Sequence, residues 1–145
     1  MNVEDRCIFC QIVSGALPAS LVHRDERCTA FLDIRPINDG HVLVVPNRHA
    51  AFLSELDPED GAHGFRVAQK LAAALRASGL RCDGVNLLLS DGRAAMQEVF
   101  HVHLHIIPRY AGDGFGLRFG PGFGRNPSRD ELNGIAVKIK GQITA

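Results

Sequence analysis

His101-Val102-His103-Leu104-His105-Ile106-Ile107 is the stretch that decides the fold and the chemistry of this 145-residue sequence. Alternate residues of a β-strand point to the same face, about 6.6–6.8 Å apart. The three histidines are therefore predicted to line one face, while Val102, Leu104 and Ile106 line the other and pack against a helix. A row of imidazoles makes a poor core because each neutral ring has a donor and an acceptor to satisfy.

The residues alone leave three explanations of this histidine row open. The strand could face solvent and carry its histidines without a function. It could instead supply metal ligands, for which alternating histidines are well suited. It could also supply a nucleophile and acid–base groups, because imidazole titrates near neutral pH.

Segments on either side of the histidine row predict a sheet. Five stretches rich in Val, Leu, Ile and Phe are bounded by turn residues, as is typical of strands. Short turns join the first three, which are therefore predicted to run antiparallel. The predicted strands are Leu21–Arg24, Thr29–Asp33, His41–Val45, Val85–Ser90 and Phe100–Ile107.

Helix signals occur at three places. Asp57 is a good N-cap, Pro58 suits the first helical position and Gly79 is a natural stop, which predicts a long helix between the third and fourth strands. A capping box predicts a C-terminal helix over 128–140, and residues 7–14 could form one or two helical turns. The fold class is therefore α+β, as a single domain over 1–145 with its core at about 7–109 and a glycine-rich loop at 112–125.

Composition narrows the function classes. The 16 basic and 16 acidic residues cancel, which gives no electrostatic basis for a nucleic-acid groove or for a membrane surface. The 46% hydrophobic and 22% charged fractions are ordinary for a soluble globular protein. No apolar run approaches the ~20 residues of a membrane span, and the first residues lack a signal core. A cytoplasmic protein with no nucleic-acid or membrane partner is expected.

Cys7 and Cys10 form a Cys-x-x-Cys pair, for which zinc binding, a redox pair and two buried apolar side chains are all possible. The strand–motif–helix context of a thioredoxin is missing. Four cysteines in a chain of this length do not make a disulfide scaffold.

The histidine segment resembles the signature of the histidine triad (HIT) family of nucleotide hydrolases and transferases. Cys7-Ile8-Phe9-Cys10 resembles the opening of that family, Phe31-Leu32-Asp33-Ile34 its ribose-binding strand, and the segment 40–46 the strand with its fourth active-site histidine. Gln97 precedes the triad at the family's spacing, and the resemblance covers about 7–109. It implies a HIT-like fold: a mainly antiparallel sheet of about five strands, one long helix, a C-terminal helix and a short N-terminal helix.

The resemblance implies a nucleotide-conjugate hydrolase, similar to adenosine phosphoramidases and acting on purine nucleotides. His103 would attack the α-phosphorus and form a covalent nucleotidyl-histidine that water resolves. His105 would contact phosphate oxygens and help to protonate the leaving group. His41 would complete the anion-binding wall, and Gln97 would bind near the leaving-group atom. A dinucleoside polyphosphate hydrolase and a nucleotide-binding module with little turnover are the alternatives.

The same resemblance implies further nucleotide contacts. Asp33 would accept hydrogen bonds from the ribose hydroxyls, and Phe31 and Ile34 would flank the base. Ser90 stands in the nucleotide site where the family often has Asn. Glu98 stands where the family commonly has Ser or Thr, so it would either disfavour polyphosphate leaving groups or point into solvent.

A structural zinc and a homodimer are also implied by the resemblance. The positions that match the family's ligands are Cys7, Cys10, His49 and His101, and two thiolates with two imidazoles suit tetrahedral zinc. Related proteins pair two such sheets. Met96 departs from the glycine that the family usually has before the glutamine.

Overall fold

The computed structural model describes residues 6–143 and contains, within them, three α-helices and one five-stranded sheet. The helices are α1 (Ile8–Ser14), α2 (Pro58–Ala77) and α3 (Arg129–Lys140). The strands are β1 (Leu21–Arg24), β2 (Cys28–Leu32), β3 (Val42–Pro46), β4 (Gly84–Leu89) and β5 (Leu104–Arg109).

The sheet has the order β1-β2-β3-β5-β4, and every neighbouring pair is antiparallel. The α+β class, the antiparallel sheet and the three predicted helices are thereby confirmed. The first four strands agree with their predicted bounds to within one residue. β5 lies in the interior of the sheet, between β3 and β4, so the end of the histidine segment is held on both sides.

Each face of the sheet is covered by a different helix. Val42 and Val44 of β3 and Ile106 of β5 belong to a core cluster with residues of α2. Leu43 and Val45, which alternate with them, belong to a second cluster with α1. The histidine row lies on the α1 face, because His105 is opposite Leu43 in the ladder. Burial of these apolar side chains is worth about 25 cal/mol per Å² removed from water.

The last strand begins later than predicted. We expected a strand over Phe100–Ile107, but β5 begins at Leu104, so His101 and His103 precede it. The cause is a tight turn in which the His101 amide donates to the Val99 carbonyl at 2.9 Å. The Val102 amide then bonds to the Ala50 carbonyl at 2.8 Å instead of entering the sheet ladder.

The predicted ends of α2 are confirmed. The Asp57 side chain caps its first turn, Pro58 is the first residue, and Gly79 has a left-handed φ of 84° just beyond its end. A second glycine is required for packing near the histidine row. At Gly40, φ is 91° and a Cβ would lie 2.9 Å from side-chain carbons of Leu75 and Leu80. The turn before His41 can therefore approach α2 only with glycine there.

The chain divides into two compact units, up to Phe115 and from Gly116 onward. In the second unit, Ser128 and Glu131 form the predicted capping box of α3, and the rings of Phe119 and Phe123 stack 3.9 Å apart. Among the residues described, no helix combines the length and the apolar character that a membrane crossing needs.

Candidate functional site

Four histidines from three segments meet on the α1 face. The ring centroids of His103 and His105 lie 4.8 Å apart, and those of His41 and His105 lie 5.1 Å apart. His101 and His103 both pack edge-on against Phe9 of α1, at 5.9 and 5.1 Å. The structure thus brings together the four histidines that the sequence singles out for chemistry.

Backbone partners define which nitrogen of His103 is free. Its Nδ1 lies 2.7 Å from the His101 carbonyl oxygen, and because a carbonyl only accepts, Nδ1 must donate. The lone pair of neutral His103 is therefore on Nε2. The ring is 6% exposed and is held against Phe9, so its orientation is fixed before any ligand binds. This is the arrangement that a nitrogen nucleophile needs.

A second chain of hydrogen bonds orients His41 and His105. The Ile37 amide donates to His41 Nδ1 at 3.2 Å, so neutral His41 carries its proton on Nε2. His41 Nε2 lies 2.9 Å from His105 Nδ1 and donates to it. His105 is left with its own proton on Nε2. His103 therefore presents a lone pair on Nε2, and the neighbouring His105 presents an N–H donor on Nε2.

Burial keeps these rings neutral. Desolvation lowers the pKa of His103 and of His41 below the ordinary value of 6.5. It also lowers the pKa of His105 to about 4, with further contributions from His103 and His41. The Asp33 carboxylate raises all three pKa values but is outweighed by burial. Near neutral pH the three imidazoles are therefore uncharged.

The residues expected around ribose and base occupy different environments. Asp33 Oδ1 accepts the Arg35 amide at 2.8 Å, and its Oδ2 lies 3.8 Å from His41 Nδ1. Ile34 is 92% exposed, so its side chain is available to a ligand. Phe31 is 3% exposed and packs on Phe9 with ring centroids 5.5 Å apart. Phe31 therefore lies in the core on the α1 face, whereas Ile34 does not.

Gln97 is buried, and its side chain makes three hydrogen bonds to the backbone. Its side-chain oxygen accepts the Gly92 amide at 2.8 Å, and its side-chain nitrogen donates to the carbonyls of Ala51 and Val99 at 2.8 and 3.2 Å. Donation by Gln97 to a leaving group would require breaking one of the bonds to Ala51 and Val99, whereas its side-chain oxygen keeps a second lone pair that can accept from an amine. The geometry favours a positioning residue that holds the segment before the triad.

Met96 and Ser90, where the expected pattern has other residues, both lie between β4 and β5. Met96 has a φ of 67° and is the one non-glycine residue at positive φ among the residues described. A side chain is disfavoured in that region by roughly 1–2 kcal/mol, so glycine would adopt this conformation with less strain. Ser90 follows β4 directly and is 8% exposed, beside the loop that contains Met96.

A second cluster, next to the histidine row, consists of Cys7, Cys10, His49 and His101, whose ligand atoms lie within 4.8 Å of one another. Cys7 caps α1, so the helix start fixes both thiols. The bond from the Val102 amide to the Ala50 carbonyl holds the His49 segment beside His101.

The donor set of this cluster fits zinc. Nδ1 of His101 lies 3.4 Å from Cys7 Sγ and 3.5 Å from Cys10 Sγ, and Nδ1 of His49 lies 3.4 Å from Cys10 Sγ. Tetrahedral zinc places sulfur and nitrogen ligands about 3.5–3.6 Å apart. His101 Nε2 donates to the Pro46 carbonyl at 2.8 Å, which leaves its Nδ1 lone pair for a metal.

Three features of the structure have no signal in the sequence. The Ile37 amide that orients His41 is a backbone group and has no sequence signal. Arg35 and Glu98 form an ion pair at 3.1 Å that joins residues 63 positions apart. His23 and His63 both bond to one carboxylate oxygen of Asp25, at 2.7 and 2.8 Å, a shared partner that no motif in the sequence indicates.

Comparison with known proteins gives one family. The model of the HIT domain matches residues 14–112 of the chain. An uncharacterized HIT-like protein of Methanocaldococcus jannaschii is 46% identical, with 93% of this chain and 99% of the relative covered. The adenosine 5′-monophosphoramidase of Schizosaccharomyces pombe is 36% identical, with 94% and 98% covered.

Solved structures of HIT family proteins have the same fold as this chain. A HIT family protein from Bacillus anthracis has a TM-score of 0.89 at 40% identity and covers 97% of this chain and 99% of its own. A zinc-bound histidine triad family protein from Mycobacterium smegmatis has a TM-score of 0.75 at 40% identity, with the same coverage of both chains.

Proposed function

Because this chain belongs to the HIT family, we propose that it is a nucleotide-conjugate hydrolase that acts on adenosine 5′-phosphoramidates or similar purine nucleotide conjugates. The observation that carries the proposal is the orientation of His103. Its Nδ1 is tied to the His101 carbonyl at 2.7 Å, so the Nε2 lone pair is available for attack. The relative from Schizosaccharomyces pombe, named as an adenosine 5′-monophosphoramidase, supports this choice of substrate.

The reaction has two displacements at the α-phosphorus. His103 Nε2 attacks phosphorus, the bond from phosphorus to the amine nitrogen breaks, and the amine leaves with the proton from His105 Nε2. Water then attacks phosphorus, the bond to Nε2 of His103 breaks, one water proton returns to His105, and the mononucleotide departs. A covalent intermediate splits one difficult step into two easier ones, and no separate base is needed because the imidazole is already neutral.

His105 and His41 help to stabilise the negative charge that develops on the phosphate oxygens. The proton on His105 Nε2 is donated to a non-bridging oxygen or to the leaving amine. His41 keeps that tautomer in place through its 2.9 Å bond to His105. A donor aimed at developing charge in a water-poor site is worth far more than in water, and His41 acts here as a positioning residue.

The nucleoside is held by the segment after β2. Oδ2 of Asp33 accepts from the ribose hydroxyls, because Oδ1 is already bonded to the Arg35 amide. Ile34 packs against the base, Phe31 supports it from the core, and Ser90 lies on the phosphate side.

A panel of substrates tests the proposal. Adenosine and guanosine 5′-phosphoramidates and diadenosine tetraphosphate are incubated with the wild type and with His103→Asn, and release of the mononucleotide is measured. We expect turnover of the phosphoramidates by the wild type and a loss of many powers of ten in the variant. Binding of the nucleotide without turnover by the wild type would instead identify a binding module.

We also propose a structural zinc held by Cys7, Cys10, His49 and His101. The 3.4–3.5 Å spacing of sulfur and nitrogen and the zinc-bound relative support it. When bound, zinc ties α1 to the segment that leads into the triad, and contributes folding free energy rather than chemistry. His101 Nε2 keeps its bond to the Pro46 carbonyl, which holds in place the residue whose backbone carbonyl accepts from His103 Nδ1.

A homodimer is the third part of the proposal. β4 is an edge strand of the sheet, and its Leu87 and Leu88 are 39% and 37% exposed. Unpaired edges with apolar side chains are normally covered. Light scattering should give twice the 15.7 kDa chain mass, and Leu88→Lys should shift it toward the monomer. A clean monomer of the wild type at micromolar concentration would reject the dimer.

A further inference from the structure

Arg35 and Glu98 form an ion pair whose place in the fold has a consequence for specificity. The guanidinium and carboxylate are 3.1 Å apart, and the two side chains are 82% and 78% exposed. Arg35 lies in the loop after β2 and Glu98 lies in the loop before the triad, 63 positions later. The pair therefore bridges two loops at the protein surface.

The backbone of Arg35 lies close to the residues that orient the catalytic histidines. The Arg35 amide donates to Asp33 Oδ1 at 2.8 Å, Asp33 Oδ2 lies 3.8 Å from His41, and His41 bonds to His105 at 2.9 Å. Glu98 follows directly after Gln97, whose side chain fixes that loop. Each loop therefore also holds a residue beside the histidines, Asp33 in one and Gln97 in the other, which puts the exposed pair at the edge of the proposed nucleotide site.

We propose that this ion pair selects the leaving group by charge, favouring amines over polyphosphates; this rests on the proposed function. An ionised carboxylate only accepts hydrogen bonds, so Glu98 attracts an amine that becomes an ammonium ion as it departs. Glu98 also neutralises Arg35, the cation that would otherwise attract an anionic leaving group.

The weakness of the pair is part of this role. An exposed ion pair contributes little to stability, since water screens both charges and two long side chains must be ordered. A departing ammonium ion can therefore exchange onto Glu98 at small cost. A polyphosphate could bind Arg35 only by displacing Glu98, and it would then meet the freed carboxylate.

Coulomb's law gives the size of the effect. Two unit charges about 7 Å apart in a water-like environment change a rate by roughly threefold. A polyphosphate leaving group carries several charges, so removing one rim charge should change its relative rate by about tenfold. Both side chains are exposed, so dissolved ions screen their charges. The effect should therefore shrink as salt is raised from 0.05 to 0.5 M, because the Debye length is ~10 Å at 0.1 M and shortens as salt increases.

A double-mutant cycle tests the proposal. The wild type, Glu98→Ser, Arg35→Ser and the double variant are assayed with adenosine 5′-phosphoramidate and diadenosine tetraphosphate, by release of the mononucleotide. The ratio of tetraphosphate to phosphoramidate turnover should rise about tenfold in Glu98→Ser and fall in Arg35→Ser. It should return near the wild-type value in the double variant.

Controls separate this role from charge in general. Glu26→Ser and Arg66→Ser make the same changes in net charge at exposed positions and should leave the ratio unchanged. Thermal unfolding of each variant shows whether the fold is intact. A ratio that is the same in all four proteins, or insensitive to salt, would overturn the charge selection alone. Absence of mononucleotide release from both substrates by the wild type would overturn it together with the proposed function.

Discussion

Replacing Gln97 with Ala should lower the free energy of unfolding, and turnover should fall only in proportion to the loss of folded protein. The Gln97 side chain is 4% exposed and makes three hydrogen bonds to backbone groups of Gly92, Ala51 and Val99. A net contribution of about 0.5–1.5 kcal/mol for each bond gives a loss of roughly 2–4 kcal/mol. At about 4 °C per kcal/mol for a domain of this size, the midpoint of thermal unfolding should fall by roughly 8–16 °C.

The assay is urea or thermal unfolding alongside turnover of a phosphoramidate. Gln97→Glu separates the contacts, because its carboxylate still accepts from the Gly92 amide but cannot donate to the two carbonyls. It should be destabilised as well, and turnover should fall in proportion to the loss of structure. Wild-type stability of Gln97→Ala together with lost turnover would refute this reasoning and assign Gln97 to the leaving group.

Three further predictions follow from the geometry. Burial lowers the pKa of His103 below 6.5, and only the neutral ring attacks. As pH is raised, kcat/KM should therefore increase with a midpoint below 6.5 and then stay constant; a midpoint at or above 6.5 would contradict this. Metal analysis should give about one zinc per chain, lost in Cys10→Ser and kept in Cys82→Ser, which lies outside the cluster; free thiols without metal in the wild type would reject the centre. Met96→Gly should stabilise the protein by roughly 0.5–1 kcal/mol in urea unfolding, because its φ of 67° suits glycine; a loss of stability would show that the Met96 side chain makes a contact that outweighs the strain.

Most of the fold could be predicted because its signals are local. The ends of α2 are defined by Asp57, Pro58 and Gly79, which lie within two residues of them, and a continuous run of apolar residues defines β3. The exception is the start of β5. The segment from Phe100 to His103 has a strand-like composition, but a hydrogen bond from Val102 to Ala50 diverts it from the sheet, and no local pattern reports a contact between residues so distant in sequence.

The candidate site could be predicted in part for the same reason. The alternation of His101, His103 and His105 is visible in the sequence, and it correctly places their side chains together. The tautomers could not be predicted, because they depend on backbone groups such as the Ile37 amide. The partner of Glu98 was equally invisible, since Arg35 lies 63 positions away and exposed charges have many possible partners.

The central claim is a covalent bond between His103 and the nucleotide. It is tested most directly by mixing the protein with adenosine 5′-phosphoramidate, quenching in alkali within one turnover, and mapping the modified residue by mass spectrometry. His63→Asn, which removes a histidine outside the site, is the matched control and should still be modified. We predict one adenylyl group on His103 in both proteins and none in His103→Asn. An adenylyl group on another residue, or undiminished mononucleotide release by His103→Asn, would contradict the account.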